Sequence, residues 1–153
     1  MTIRPAAKND LPVLLEFEQE IIKAERPFNS TLKNGEIHFY DLQQLMESEK
    51  AKVVVAEVDN EIIGSGYAVI KQEVDDFVKH TQFSYLGFMY VKLAHRGKGV
   101  NKAIIEKLNE WALAKGVNEI RLQVLDENTV AKKAYQKIGF KGHMLEMRLG
   151  IKT

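Results

Sequence analysis

The feature that most restricts the fold is a pair of glycines, Gly97 and Gly99, set between two different hydrophobic periodicities. Before them, Phe83 to Val91 is β-branched and aromatic, the pattern of a strand. After them, Lys98 to Lys115 places Val100, Ile104, Leu108, Trp111 and Ala112 along one stripe, the pattern of an amphipathic helix. A strand, a glycine turn and a helix start leave a row of backbone N–H groups with no intrahelical partner. Those donors, the helix dipole and the cations of Arg96 and Lys98 suit a phosphate or pyrophosphate. The spacing excludes two common phosphate motifs. A dinucleotide fingerprint needs a third glycine where Lys102 stands, and the Gly-Lys-Ser/Thr ending of a P-loop is absent.

Elsewhere the same periodicities alternate. Thr2 to Arg4 is a short strand stopped by Pro5, and Asp10 stands where a helix N-cap belongs, ahead of Leu11, Leu14, Leu15, Phe17, Ile21 and Ile22. Glu25 to Gly35 is a loop, and Asp41 to Glu49 a weaker helix. Lys52 to Val58 and Glu61 to Gln72 form a hairpin about the turn Asp59-Asn60, with Gly64 and Gly66 marking a bulge or a close backbone approach. Glu119 to Leu125 is a strand, Thr129 to Ile138 a helix stopped by Gly139, and Phe140 to Gly150 one or two final strands. Hairpins first and a βαβ unit later predict a single domain, residues 1–153, of the α/β or α+β class with a mixed sheet.

Composition narrows the partners. The 22 basic and 21 acidic residues give no net field toward nucleic acid or a membrane. Without cysteine there is no disulfide framework, thiolate metal site or cysteine nucleophile. The four histidines lack ligand spacing, so no metal is expected. No apolar run spans a bilayer and no signal core follows Met1, which predicts a soluble cytoplasmic protein, monomer or homodimer.

A second constellation follows: Asn128, Ala131, Tyr135, Gly139 and Phe140. Asn128 and Tyr135 lie nearly on one helical face. Taken singly, they are most simply an N-cap and a core-edge aromatic, with Gly139 as a C-cap. Together with Met89-Tyr90-Val91 and the run Arg96-Gly97-Lys98-Gly99-Val100-Asn101, the chain resembles the GNAT acetyltransferase superfamily. That family's pyrophosphate motif is Arg/Gln-x-x-Gly-x-Gly/Ala, and its later motif is Asn-x-x-Ala-x-x-x-Tyr-x-x-x-Gly-Phe. The match departs only at Asn101, where Gly or Ala is usual; the larger side chain either crowds the phosphates or adds an amide contact.

The resemblance implies a mixed, mostly antiparallel sheet of six to seven strands with about four helices and two splayed central parallel strands. It implies an N-acetyltransferase that moves an acetyl group from acetyl-CoA to a primary amine of a small molecule or peptide by direct attack. The alternative is a catalytically idle module that binds or senses acyl-CoA. Met89 and Val91 would pair with the pantetheine arm, and residues Arg96, Gly97, Lys98, Gly99, Val100 and Asn101 would hold the pyrophosphate. Asn128 would bind the pantetheine from the other side, and Tyr135 would protonate the leaving thiolate. Lys98, Lys102 and Lys133 are electrostatic helpers or solvated lysines. Phe28, Tyr40, Tyr67 and Tyr85 are the candidate acceptor-pocket residues. Tyr85 stands where many relatives have a carboxylate base; Glu25, His38, Glu57, Asp75 and His80 are the possible substitutes.

Overall fold

The computed structural model describes residues 1–153 as two compact units, Met1–Gln123 and Val124–Thr153. The first is built on one five-stranded sheet whose spatial order follows the chain: β1 (Thr2–Pro5), β2 (Ala51–Val58), β3 (Glu61–Gln72), β4 (Gln82–Val91) and β5 (Ile120–Arg121). The first four are antiparallel neighbours, and β5 joins β4 in parallel. The β2–β3 turn is tight because Asp59 and Asn60 both adopt positive φ, +50° and +64°.

Helices cover both faces. On one, α1 (Leu11–Glu25) and α2 (Leu42–Glu47) pack through Leu14, Phe17, Ile21 and Leu42 onto Val53, Val55, Tyr67 and Phe88. On the other, α3 (Val100–Ala114) buries Val100, Ile104, Ile105, Leu108 and Ala112. The two strand glycines explain how closely α3 sits. A Cβ at Gly64 would stand 3.3 Å from Ile104 and 3.4 Å from Val100, and one at Gly66 would stand 2.7 Å from Ile104.

Several expectations need correction. Asp10 does not cap α1. It has αR geometry, and its carboxylate accepts from the Ala7 N–H at 2.7 Å and from the Arg4 guanidinium at 2.8 and 3.1 Å. Arg4 also binds Glu57, at 2.6 Å, so one cation joins β1, β2 and the entry to α1. Asp41 does cap α2, accepting from the Gln44 N–H. The sheet has five strands rather than six or seven. β5 is two residues long because its ladder with β4 consists of Ser84 with Ile120 and Tyr85 with Arg121.

In the second unit, α4 (Thr129–Ile138) starts at Asn128, whose side chain accepts from the Ala131 N–H at 3.2 Å. It ends at Gly139, which has φ +119°. Lys132 ties the start of the helix to Asp126. Residues 140–153 contain no strand, contrary to expectation. Alternating apolar residues define a face, but a strand exists only where a ladder satisfies its backbone. Across the protein no helix is long and apolar enough to cross a membrane.

Candidate active site

The residues expected to cradle a phosphate occupy one continuous turn. After β4, a 3-10 turn over Leu93–His95 reverses the chain, and Gly97 and Gly99 follow with φ of +75° and +81°. An added Cβ would meet nothing within 4 Å at either position, so glycine serves here for its backbone conformation. Gly99 is the N-cap of α3 and makes no side-chain cap. The N–H groups of Val100, Asn101 and Lys102 therefore lack intrahelical partners, the first return bond running from the Ala103 N–H to the Gly99 carbonyl. Arg96 is engaged within the turn: its N–H donates to Leu93, its Nε donates to the Val91 carbonyl at 2.8 Å, and its guanidinium lies 5.8 Å from the Tyr90 ring. The amides with no acceptor thus begin after Arg96. Lys98 and Lys102 are exposed, and Lys102 lies 3.9 Å from Glu106.

Met89 and Val91 lie on the last stretch of β4, which carries a bulge. Tyr67 pairs with Gly87 and Ser65 with Tyr90, so Phe88 and Met89 together oppose the single residue Gly66. Phe88 has φ +56°, an uncommon conformation for an aromatic residue. The fully buried Ser65 hydroxyl donates to the Phe88 carbonyl at 3.0 Å. Past Tyr85, no residue of β4 pairs with β5, so the parallel ladder ends two residues before the bulge.

Three of the four acceptor-pocket candidates share one face. Tyr67 and Tyr85 project to the α1 side of the sheet through the pairs Tyr67 with Gly87 and Val69 with Tyr85. A Cβ at Gly87 would meet the Tyr67 ring at 2.4 Å, so glycine there makes room for that phenol. Tyr40 stands edge-on to Tyr67 and to Phe88, each at 5.4 Å. The Tyr85 hydroxyl donates to Gln123 at 3.3 Å, and the Lys71 ammonium lies 4.4 Å from its ring. Phe28 ends the 3-10 turn Arg26–Phe28, is 37% exposed and joins no ring contact with them. Burial first, then neighbouring charge, raises all three phenols, Tyr67 to about 12, so they stay neutral at physiological pH.

The substitute bases separate clearly. Glu57 binds Arg4 at 2.6 Å, His80 binds Glu119 at 2.6 Å and His38 binds Glu18 at 2.7 Å. Asp75 is exposed. Glu25, at the C-terminal end of α1, is partly buried, makes no hydrogen bond or ion pair, and has its carboxyl raised by desolvation. Its charge acts on the phenols of Tyr40 and Tyr85.

Sequence reasoning missed Glu18. This fully buried carboxylate accepts from the Phe39 and Tyr40 N–H groups, both at 2.9 Å, and meets His38 Nδ1 at 2.7 Å. The signal was present: a glutamate inside the apolar stripe Leu14, Phe17, Ile21 and Ile22.

Asn128 and Tyr135 lie in the second unit. The Asn128 oxygen is engaged in capping α4, as noted, which leaves its Nδ2 hydrogens as donors. Tyr135 is partly exposed and stands edge-on to Phe140 at 5.8 Å, while its carbonyl accepts from the Phe140 N–H.

Comparison with known proteins identifies the family. The aminoglycoside N(6')-acetyltransferase type 1 of Salmonella typhimurium is 25% identical over 103 residues, 67% of this chain and 71% of that one. A mutant of the BH1408 protein from Bacillus halodurans superposes with a TM-score of 0.89 at 21% identity, covering 99% of this chain and all of that one. A predicted acetyltransferase from Clostridium acetobutylicum, solved with acetyl-CoA, superposes with a TM-score of 0.76 at 18% identity over 97% of this chain and 95% of that one. The model of the Acetyltransferase (GNAT) family matches residues 16–140, from the middle of α1 to Phe140 and so across both motifs. With the glycine turn and the bulged strand inside that span, the chain belongs to the GNAT acetyltransferase family.

Proposed function

We propose that this protein transfers the acetyl group of acetyl-CoA to a primary amine, by direct attack in a ternary complex. The observation that carries the reading is the run of partnerless backbone amides after Arg96, joined through one turn to a bulged stretch of β4 that lies beyond the end of its ladder with β5. Amides at a helix N-terminus fit a pyrophosphate, and a strand whose ladder has stopped fits an extended amide-bearing arm. Residues 97–101 would hold the phosphates, Met89 and Val91 the pantetheine. Asn101 keeps its backbone donor and brings a side-chain amide to the same helix end. Acetyl-CoA supplies the activated thioester.

The chain's own groups supply the rest. We assign the Met89 N–H to the thioester carbonyl, where a fixed donor stabilises developing negative charge. Tyr135 delivers a proton to the leaving thiolate. Its support is its place in the motif from Asn128 to Phe140 and the family match across it. A phenol near pKa 10 facing a thiolate near 8.5 is uphill by only about 2 kcal/mol. The acceptor lies against Tyr40, Tyr67 and Tyr85. An alkylamine must lose a proton first, at a cost of roughly 4 kcal/mol near pH 7.4. Glu25 is the base we assign: of the five substitutes it is the partly buried one without a partner, and desolvation raises its carboxyl toward the working range. The acetyltransferase activity of the Salmonella relative on an aminoglycoside amine supports a cationic small-molecule acceptor.

Free-thiol release from acetyl-CoA across a panel of aminoglycosides, polyamines, amino acids and peptide N-termini tests the reading. Turnover with at least one amine is expected. Silence across the panel with retained thermal protection by CoA would replace this reading with the acyl-CoA-sensing module.

A further inference from the structure

We propose that Glu18 is a positioning residue: its carboxylate fixes the segment from His38 to Tyr40 and, through Tyr40, the bulge at Phe88 and Met89. The proposal rests on the acetyl-transfer reading above for its functional consequence, and on hydrogen bonds and packing for its geometry. A carboxylate with no exposed surface costs several kcal/mol unless its lone pairs are filled. Here they are filled from one short segment. Oε2 accepts the Phe39 and Tyr40 N–H groups and Oε1 meets His38. That segment has no helix or strand of its own, so the buried anion takes the place of a ladder.

Tyr40 carries the constraint to the sheet. Its ring packs edge-on against Phe88, Tyr67 and Phe39. Phe88 holds a left-handed conformation that persists only where the surroundings over-determine it. Two groups do so: the Ser65 hydroxyl on the Phe88 carbonyl, and the Tyr40 ring against the Phe88 ring. Met89, whose N–H we assign to the thioester carbonyl, is the next residue. A displaced bulge therefore misplaces that donor without touching the phosphate turn.

The titratable groups facing the His38 ring are Glu18 from α1 and Glu36 from its own segment, at 2.7 and 3.5 Å. Those acting on Tyr40 are Glu18 and Glu25 from α1 and Tyr67 from β3. Glu18 raises His38 above its ordinary value. Its titration thus provides a reporter at one end of the chain of contacts.

The test uses the whole chain and two variants, Glu18→Gln and Tyr40→Leu, the second removing the ring that packs on Phe88, with 15N-resolved amide spectra and His38 ring shifts followed against pH. In Glu18→Gln, His38 is expected to titrate nearer its ordinary value, and the Phe88 and Met89 amides to move while those of Gly97 and Gly99 stay. In Tyr40→Leu, Phe88 and Met89 are expected to move while the His38 titration stays. With an accepted amine, Glu18→Gln lowers kcat about tenfold and changes the acetyl-CoA KM less than about twofold, as a misplaced donor would. A Glu18→Gln protein with a shifted His38 titration and unmoved Phe88 and Met89 amides overturns the proposal. So does a Tyr40→Leu protein with unmoved bulge amides, which decides the matter if Glu18→Gln fails to fold. A wild-type protein silent toward every amine defeats the acetyl-transfer reading instead, while the spectra still decide the positioning role.

Discussion

Gly66 is where α3, β3 and the β4 bulge come closest, and alanine there has a calculable effect. Gly66 is outside the positive-φ region, so alanine meets no backbone strain. Its Cβ would stand 2.7 Å from Ile104 Cγ2 and 2.8 Å from Met89 Sδ. The thioether is flexible and can swing aside. The Ile104 methyl is branched from a fully buried helical side chain and cannot move without shifting α3. Overpacking of this kind costs about 1–3 kcal/mol. The smaller entropy of the unfolded alanine chain returns about 0.4–1 kcal/mol. The net destabilisation is about 1.5 kcal/mol, or roughly 3–6 °C in melting temperature for a chain of this size. Ile104→Leu removes the β-branch methyl at an expected cost of about 1 kcal/mol. The double variant is then expected to be more stable than additivity allows, with a coupling of about 1 kcal/mol. Thermal and urea unfolding of the four proteins measure this. A Gly66→Ala protein that melts within about 1 °C of wild type, or strictly additive energies, would refute the steric account.

Other outcomes follow from the sites described above. Gly99→Glu places a carboxylate and a positive-φ side chain at the α3 N-terminus, so thermal protection by CoA is expected to vanish; retained protection would remove the phosphate assignment. Tyr135→Phe is expected to lower turnover far more than acetyl-CoA affinity in steady-state kinetics, and unchanged turnover would exclude it as the acid. Asp10→Asn removes a charge-assisted link and is expected to cost about 2 kcal/mol. Arg4 first, then the Ala7 amide, holds the Asp10 carboxyl below its ordinary value. Its stabilisation is therefore complete above about pH 4, and is lost as pH falls through the lowered native value. Acid unfolding of the variant should lack that component; an unchanged acid profile would contradict the pairing.

What was legible in the sequence was local. The β2–β3 hairpin announced itself through Asp59-Asn60, and the phosphate turn through two glycines between opposite periodicities. Gly64 and Gly66 correctly signalled a close approach, although nothing local named α3 as what approaches. The bulge at Phe88 was not legible, because Ser65 and Tyr40 impose it from elsewhere in the chain. Asp10 resembled an N-cap by position, but Arg4 outcompeted the helix end for its carboxylate. Glu25 could be raised as a base from sequence but not preferred, since its distinction lies in what fails to pair with it. The alternation over residues 140–153 described a face without identifying a neighbour.

The close seating of Ile104 on Gly64 and Gly66 makes the strand pair and the helix a caliper. One jaw is the start of α3, with the amides we propose as phosphate donors; the other is the bulge at Phe88 and Met89. Both jaws are fastened to the same two strands, so the gap between them is set by packing rather than by a loop. With acetyl-CoA held as proposed, such a device gauges the reach of the donor. An acyl thioester on an arm shorter or longer than pantetheine would be gripped at one jaw and miss the other, whatever its acyl group.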